Sequence, residues 1–242
     1  MANLLVEVGN TALKAAWSEG TVLGKTFRYQ GEKKLEYILS LTEKEKPEIL
    51  TVTSGKPVTK EEESVLRKEC THLLILDENH TGVLLKYGFP EYLTYDRVAS
   101  LVAVRFLFPN KSCSVFDLGT TLKVDFLSSV GKYVGGNISL GCRTRFKALN
   151  RYSRTLPLID TPAEIMQEGN SIRSSVESGI ISGIMFEIEG YIRLRPENII
   201  IFTGGDAIYF AKKLKNSIFV VSNLVMMGLA IITDDYVKTN LQ

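Results

Sequence analysis

The chain has 242 residues, of which 45% are apolar and 23% charged, so its composition is that of a globular protein and excludes disordered and fibrous classes. Its 29 lysines and arginines nearly balance its 27 aspartates and glutamates, and this balance does not indicate binding to nucleic acid or to a membrane surface. Three widely spaced cysteines and two histidines provide neither a disulfide framework nor a zinc-binding spacing, which favours a reducing compartment.

The first half of the chain predicts strands followed by alternating helices and strands. Three strands come first, and the later segments have the spacing of amphipathic helices and buried strands. Thr59 and Glu62 fit a capping box at the start of one helix. The predicted strands are 3–8, 10–17, 23–29, 49–53 and 73–76, and the predicted helices are 32–40, 59–69 and 97–106.

The second half continues this alternation, which predicts an α/β fold. The uncharged segment 216–233 approaches the length of a membrane span, but polar residues interrupt it. A buried strand followed by a helix that begins at Ser222 or Asn223 is therefore favoured. Strands are predicted within 114–126 and at 133–138, 199–202 and 218–221, and helices at 143–150, 171–193 and 207–213.

The beginning of the chain does not resemble a targeting segment. Its apolar run ends at Glu7 and is too short for the core of a signal peptide. We therefore expect a cytoplasmic protein.

An internal repeat divides the sequence. Residues 4–29 and 114–139 share one pattern: an apolar strand, an acid, a glycine, a threonine, a second strand, a glycine-containing turn and a third strand. Self-similarity of this kind predicts a duplicated unit. We therefore expect two α/β domains, 1–112 and 113–242, with a ligand-binding cleft between them.

The segment 7–14, EVGNTALK, has the residues of a phosphate-binding loop. Gly9 permits a tight turn whose backbone N–H groups can approach an oxyanion. Asn10 and Thr11 add donors, Lys14 adds a positive charge, and Glu7 is placed to hold Mg²⁺ through water. Taken alone, the segment is more typical of an ordinary hairpin with a buried acid.

Two further motifs favour the phosphate-binding interpretation. The segment 117–121, DLGTT, repeats the acid, glycine and threonine of the first hairpin and is followed by Lys123 and Asp125. The segment 203–207, TGGDA, lies between a predicted strand and a predicted helix, where consecutive glycines allow close approach of a ligand. Taken alone, it fits equally well a strand–helix turn capped by an aspartate.

Together these motifs resemble type III pantothenate kinase, a family in the superfamily of actin, hexokinase and acetate kinase. Each match is weak alone, but their order along nearly the whole chain is specific. The matching positions are 7–14, 87–90, 96–97, 117–120, Asp125, Gly131, Tyr133, 135–138, Gly141, 156–157, Ser171, 178–183, 203–207 and 224–229.

The resemblance implies two duplicated ribonuclease H-like (actin-like ATPase) domains with an inter-domain cleft. It implies ATP-dependent phosphorylation of pantothenate to 4'-phosphopantothenate, the first step of coenzyme A biosynthesis. The cofactors would be ATP with Mg²⁺ and a monovalent cation, K⁺ or NH₄⁺. The protein would be a homodimer with no nucleic-acid or membrane partner.

The same resemblance implies the roles of individual residues. Asp96 would accept the proton of the pantothenate hydroxyl, and Asp117 would bind the monovalent cation. Pantothenate would be contacted by Tyr87, Thr94, Tyr95, Asp96, Arg97 and Ser171. ATP would be bound by Glu7, Val8, Gly9, Asn10, Thr11, Ala12, Leu13, Lys14 and Thr120. Without the resemblance, Asp96 and Arg97 fit a helix-start acid followed by an exposed cation.

Five positions depart from the family pattern. The family has aspartate at Glu7, glycine at Thr94, a small or hydroxyl residue at Lys123, proline at Leu140 and threonine at Ser171. The alternatives are therefore a catalytically weakened homologue that acts as a binding or transcription accessory protein, and a sugar kinase, which the short chain disfavours. The Lys123 ammonium could reach the carboxylate of Asp117, which predicts a weaker dependence on potassium than in relatives. The alternative is that Lys123 points to solvent and the ion site is intact.

Overall fold

A computed structural model of the protein describes residues 2–9, 11–80 and 82–241. Two compact units are present, Met1–Pro109 with Asn223–Gln242 and Asn110–Ser222. The described strands are β1 (Asn3–Val8), β2 (Leu13–Glu19), β3 (Val22–Tyr29), β4 (Ile49–Ser54), β5 (His72–Leu76), β6 (Cys113–Leu118), β7 (Thr121–Leu127), β8 (Tyr133–Leu140), β9 (Ile199–Thr203) and β10 (Ile218–Val220).

The helices connect these strands or cover the sheets. They are α1 (Lys34–Thr42), α2 (Lys60–Leu66), α3 (Gly82–Leu85), α4 (Tyr95–Leu107), α5 (Cys142–Tyr152), α6 (Ile172–Leu194), α7 (Ala207–Lys213) and α8 (Leu224–Asn240), with a short 3-10 segment at Arg67–Glu69. None of the helices in the described parts of the chain is long and apolar enough to cross a membrane.

The first unit is built on a five-stranded sheet in the order β3-β2-β1-β4-β5. The strands β1, β2 and β3 pair antiparallel, whereas β1, β4 and β5 run parallel. Alternating residues of the central strands, such as Leu4, Val6 and Val52, pack with α1 and α2 into a buried apolar cluster. Burial of this surface supplies the main driving force for folding of the unit.

Helices α4 and α8 pack together in the first unit. A Cβ on Gly228 would lie 1.8 Å from the carbonyl oxygen of Ala99, so the two backbones meet where only a glycine fits. Thr233 in α8 also shares a buried hydrogen bond of 2.7 Å with Thr51 in β4. The division of the sequence at residues 112 and 113 placed this helix in the second half, whereas the structure groups it with the first unit because of this packing.

The second unit repeats the sheet of the first. Its strand order is β10-β9-β6-β7-β8, with β6, β7 and β8 antiparallel and β6, β9 and β10 parallel. Each strand therefore has a counterpart at the same place in the first sheet. The core contains the fully buried rings of Phe116, Phe146, Phe202 and Phe210. The predicted α/β class and duplication are confirmed.

Most predicted elements are present, with shifted boundaries. The strand predicted at 10–17 begins at Leu13, directly after Ala12, whose carbonyl accepts the Gly9 N–H. Helix α4 begins at Tyr95 rather than at residue 97, and the short α3 was not predicted. The capping box of Thr59 and Glu62 is confirmed, because each side chain accepts the other residue's backbone N–H.

Candidate functional site

The first candidate hairpin joins β1 to β2 and carries a paired acid and lysine. Glu7 and Lys14 are direct partners in the antiparallel ladder, and Lys14 Nζ lies 3.3 Å from Glu7 Oε2. The Glu7 side chain is 15% exposed. Gly9 N–H donates to the Ala12 carbonyl at 3.1 Å, which closes the predicted turn. Asn10, a predicted ATP contact, lies outside the described residues.

A further lysine supports this turn. Lys34, at the start of α1, donates from Nζ to the carbonyl of Gly9 at 2.8 Å. The side chain therefore holds the backbone of the turn and adds positive charge beside it, where an anion such as a phosphate is favoured. Sequence reasoning missed Lys34, because it is distant in the chain and belongs to no motif of the hairpin.

The second hairpin, between β6 and β7, has the same design. Asp117 and Lys123 are direct partners across the ladder, with Lys123 Nζ 3.3 Å from Asp117 Oδ2. Gly119 N–H donates to the Thr121 carbonyl at 3.1 Å. The Thr120 carbonyl accepts the Thr144 hydroxyl at 2.6 Å, which fixes the turn to the first turn of α5. The predicted contact between Lys123 and Asp117 is confirmed.

The segment 203–207 packs directly on the second hairpin. Gly204 has φ +92°, and a Cβ there would lie 2.7 Å from Asp117 Oδ1 and 2.5 Å from the Leu118 carbonyl oxygen, so this position requires glycine. Asp206 N–H donates to the Leu118 carbonyl at 2.9 Å. Burial raises the pKa of the Asp206 carboxyl. The segment lies between β9 and α7, as predicted from the sequence.

Asp96 and Arg97 lie in the first turn of α4. Asp96 is partly exposed, and a carboxylate at this end of a helix is stabilised by the helix dipole. Arg97 is only 6% exposed, so the alternative interpretation of an exposed cation is wrong. Thr94 precedes the helix with φ −65° and ψ 151°, a conformation that a residue with a side chain adopts without strain.

The segment 87–90 is fixed within the first unit. The Tyr87 hydroxyl donates to Asp235 Oδ2 of α8 at 2.7 Å, and burial together with this carboxylate raises the pKa of Tyr87. Arg105 of α4 donates to the Tyr87 carbonyl at 2.7 Å, and its guanidinium lies 3.8 Å from the centre of the Phe89 ring. Tyr87 therefore orders the segment, and its predicted contact with pantothenate stays a prediction.

Ser171 lies in the second unit, as the N-cap of α6. Its hydroxyl accepts Ser174 N–H at 3.2 Å and forms a capping box. This bond gives the residue a structural role, and its predicted contact with pantothenate stays a prediction. The other second-unit candidates, Asp117 and Thr120, belong to one hairpin.

Asp77, directly after β5, is a second residue that sequence reasoning missed. The buried carboxylate accepts N–H groups of Val58 at 2.8 Å and Asn79 at 3.0 Å and contacts His80 Nδ1 at 2.7 Å. Burial alone would raise the pKa of Asp77, but these partners hold it below its usual range. The pKa of Tyr95 is raised by burial and then by the Asp77 charge, so the two residues are close. The sequence signal that could have identified Asp77 is its position as an acid directly after the apolar strand β5.

Few side chains in the described parts of the chain could bind the ions that the resemblance implies. Among residues 2–9, 11–80 and 82–241, no cluster of three or more histidine, cysteine, aspartate or glutamate side chains could hold a metal. The Glu7 carboxylate also has an ammonium against it, that of Lys14 at 3.3 Å, so it fits only Mg²⁺ that is held mainly by phosphates and water. Asp117 fits a free monovalent cation poorly, because the Lys123 ammonium already lies against its carboxylate.

Comparison with known sequences gives one consistent family. A family model described as type III pantothenate kinase matches residues 3–194. The type III pantothenate kinase of Flavobacterium psychrophilum is 36% identical over 93% of this chain and 96% of the relative. The corresponding kinase of Azobacteroides pseudotrichonymphae is 34% identical over 93% of this chain and 94% of the relative.

Comparison with solved structures supports the fold. A Baf family transcriptional activator from Campylobacter jejuni has a TM-score of 0.64 at 19% identity, covering 97% of this chain and 99% of its own. The activator of the 2-hydroxyisocaproyl-CoA dehydratase from Clostridium difficile has a TM-score of 0.60 at 13% sequence identity, and the match covers 100% of this chain and 97% of that one. A ROK hexokinase from Thermus thermophilus has a TM-score of 0.53 at 10% sequence identity, and the match covers 96% of this chain and 98% of the hexokinase. At these identities the likeness concerns the actin-like fold of two duplicated domains.

Proposed function

Because the chain belongs to the type III pantothenate kinase family, we propose that its two acid–lysine hairpins and the first turn of α4 carry out the phosphorylation of pantothenate. The reaction transfers the terminal phosphoryl group of ATP to the pantothenate hydroxyl and yields 4'-phosphopantothenate for coenzyme A biosynthesis. The observation that carries the proposal is the family match over nearly the whole chain, together with two closed turns at the predicted phosphate-binding positions.

We propose that residues 7–14 bind the phosphates of ATP and that Thr120 adds a contact from the second hairpin. The closed turn at Gly9, the lysine at position 14 and the Lys34 contact support this role. Backbone N–H groups and ammonium groups are the donors that phosphates require. The phosphates would be contacted by backbone groups of Val8, Ala12 and Leu13. They would also be contacted by the side chains of Asn10 and Thr11.

Glu7 is the candidate ligand for the divalent ion that accompanies ATP. It is one methylene longer than the family's aspartate, yet its carboxylate is held at the end of β1 by Lys14. Glu7, together with the phosphates of ATP and water, would hold Mg²⁺ there, and the ion would supply positive charge to offset the negative charge that develops during transfer.

Asp96 is proposed as the base that accepts the hydroxyl proton of pantothenate. Its partly exposed carboxylate at the start of a 13-residue helix supports this role, because the helix fixes the group's position. Thr94, Tyr95, Arg97, Tyr87 and Ser171 are proposed to contact pantothenate. The backbone at Thr94 accepts threonine in place of glycine without strain.

The proposal is tested by incubating the protein with ATP and pantothenate and measuring ADP and 4'-phosphopantothenate. Asp96→Asn keeps the size of the side chain and removes its basicity, so kcat should fall about 10²–10⁴-fold. Near-normal turnover by the variant would contradict the assignment of the base. Absence of product from the unmodified protein, with ATP bound, would favour a weakened homologue that acts by binding.

We also propose a cytoplasmic homodimer. Strand β8 lies at the edge of the second sheet, and its side chains Ile138 and Leu140, which share one face, are 57% and 46% exposed. Val134, at a register shift in the same strand, is 48% exposed. An exposed apolar edge strand is a surface that proteins usually cover. The three buried and unpaired cysteines support a reducing compartment.

A further inference from the structure

The two hairpins carry the same pair of charges. In each, an acid at the end of the first strand is a direct ladder partner of a lysine on the second strand, and each nitrogen–oxygen distance is 3.3 Å. The acids also occupy equivalent places relative to the neighbouring parallel strand, where Glu7 is paired with Thr53 and Asp117 with Thr203. The lysine of the second hairpin is thus the structural counterpart of Lys14.

The Lys123–Asp117 pair is partly buried. The side chain of Lys123 is 18% exposed and that of Asp117 is 29% exposed, so their attraction is screened less than that of a surface pair. One carboxylate oxygen of Asp117 faces Lys123 Nζ, and the other lies against Gly204, where even a methyl group would be too close. A free cation at this carboxylate would have to lie beside an ammonium of like charge, which disfavours its binding.

We propose that Lys123 is a tethered replacement for the monovalent cation, so that the reaction needs neither potassium nor ammonium. This inference rests on the proposed function. Lys123 acts as a positioning residue: its ammonium neutralises Asp117 and thereby holds the turn at Gly119 against the turn at Gly204. A lysine ammonium suits this role because it is a compact single charge on a flexible stem.

The first test compares the unmodified protein in potassium, ammonium, sodium and choline chlorides at equal ionic strength. The rate of phosphorylation and the affinity for a non-hydrolysable ATP analogue should be the same in all four salts. Activation by potassium or ammonium of about tenfold or more, in either measurement, would overturn the proposal.

The second test removes the ammonium. Lys123→Thr should lose about tenfold in rate and in affinity for the ATP analogue in choline, and potassium or ammonium should restore both. Lys132→Thr is the matched control, because it removes a lysine from an exposed turn of the same unit and should show no response to the cation. A Lys123→Thr protein that binds the analogue equally well in choline and potassium would overturn the proposal.

The role of Lys123 can still be tested if Lys123→Thr does not fold or if the protein does not phosphorylate pantothenate. If Lys123→Thr does not fold, Lys123→Met keeps the length and apolar packing of the stem, and its melting temperature with the analogue should rise in potassium but not in choline. The same melting temperature in both salts would count against the proposal. If no pantothenate is phosphorylated in any salt, the proposed function fails, whereas the binding measurements still decide the role of Lys123.

Discussion

Replacing Gly228 by alanine is expected to disturb the packing of α8 against α4 and to slow phosphorylation. The new Cβ would lie 1.8 Å from the carbonyl oxygen of Ala99, whereas ordinary contact begins at 3.4 Å. Both clashing groups are backbone or Cβ atoms, so no side chain can rotate away. The helices must move apart by about 1.6 Å at this point, and overpacking of this kind costs about 1–3 kcal/mol of unfolding free energy.

The displacement also affects the candidate base. Ala99 lies one turn after Asp96 in α4, so a shift of the helix at Ala99 moves the carboxylate. Misplacement of a reacting group by about 1 Å can cost about 10²-fold in rate. We therefore expect kcat of Gly228→Ala to fall toward that level, although no atom of the active groups has been changed.

Gly190→Ala provides the control within a helix. Gly190 lies inside α6, and a Cβ there would meet nothing within 4 Å. Alanine is favoured over glycine in a helix by about 1 kcal/mol, so this variant should be more stable. With about 2–4 °C per kcal/mol for a chain of this size, the melting temperatures of the two variants should shift in opposite directions. If the melting temperatures of the two variants shift equally, or if the Gly228→Ala protein is fully active, the close contact between the backbones of α4 and α8 is refuted.

The remaining predictions concern two acids of the first unit. Glu7→Gln should raise the Mg²⁺ concentration needed for half-maximal rate without lowering the melting temperature, and Glu7→Asp should keep or improve the rate; a lowered melting temperature with unchanged Mg²⁺ dependence would show a structural role. Asp77, whose folded pKa is lowered, contributes stability above its ordinary pKa of about 3.9 that is lost as the pH falls through the folded value. Asp77→Asn should therefore be less stable at neutral pH and decline less in acid; parallel acid profiles would contradict this reasoning.

Local patterns were sufficient to predict much of the fold. The duplicated sequences around Glu7 and Asp117 predicted two equivalent hairpins, and both sheets place them at the same position. The glycines at 203–207 predicted a close approach, which occurs at Gly204. These features depend on neighbouring residues in one turn or one strand pair, where spacing alone determines the geometry.

Long-range contacts were not predictable in the same way. Lys34 holds the Gly9 carbonyl from another element, and Tyr87 is bound by Asp235, which is distant in the sequence. No spacing rule connects such residues, since their proximity depends on how whole helices pack. Helix α8 was correctly expected to be buried, but its uncharged segment 224–233 did not indicate which sheet it covers.

The position of α8 has a consequence for synthesis of the protein. On the ribosome, the strands of the first unit and α4 emerge before the second unit, and α8 emerges only after it. At ordinary translation rates, the side of α4 at Ala99, which packs against Gly228, waits roughly 10 s for its partner helix. The second unit is contiguous, so all of its residues have been synthesised before the first unit receives α8, and this side of α4 stays uncovered until α8 emerges.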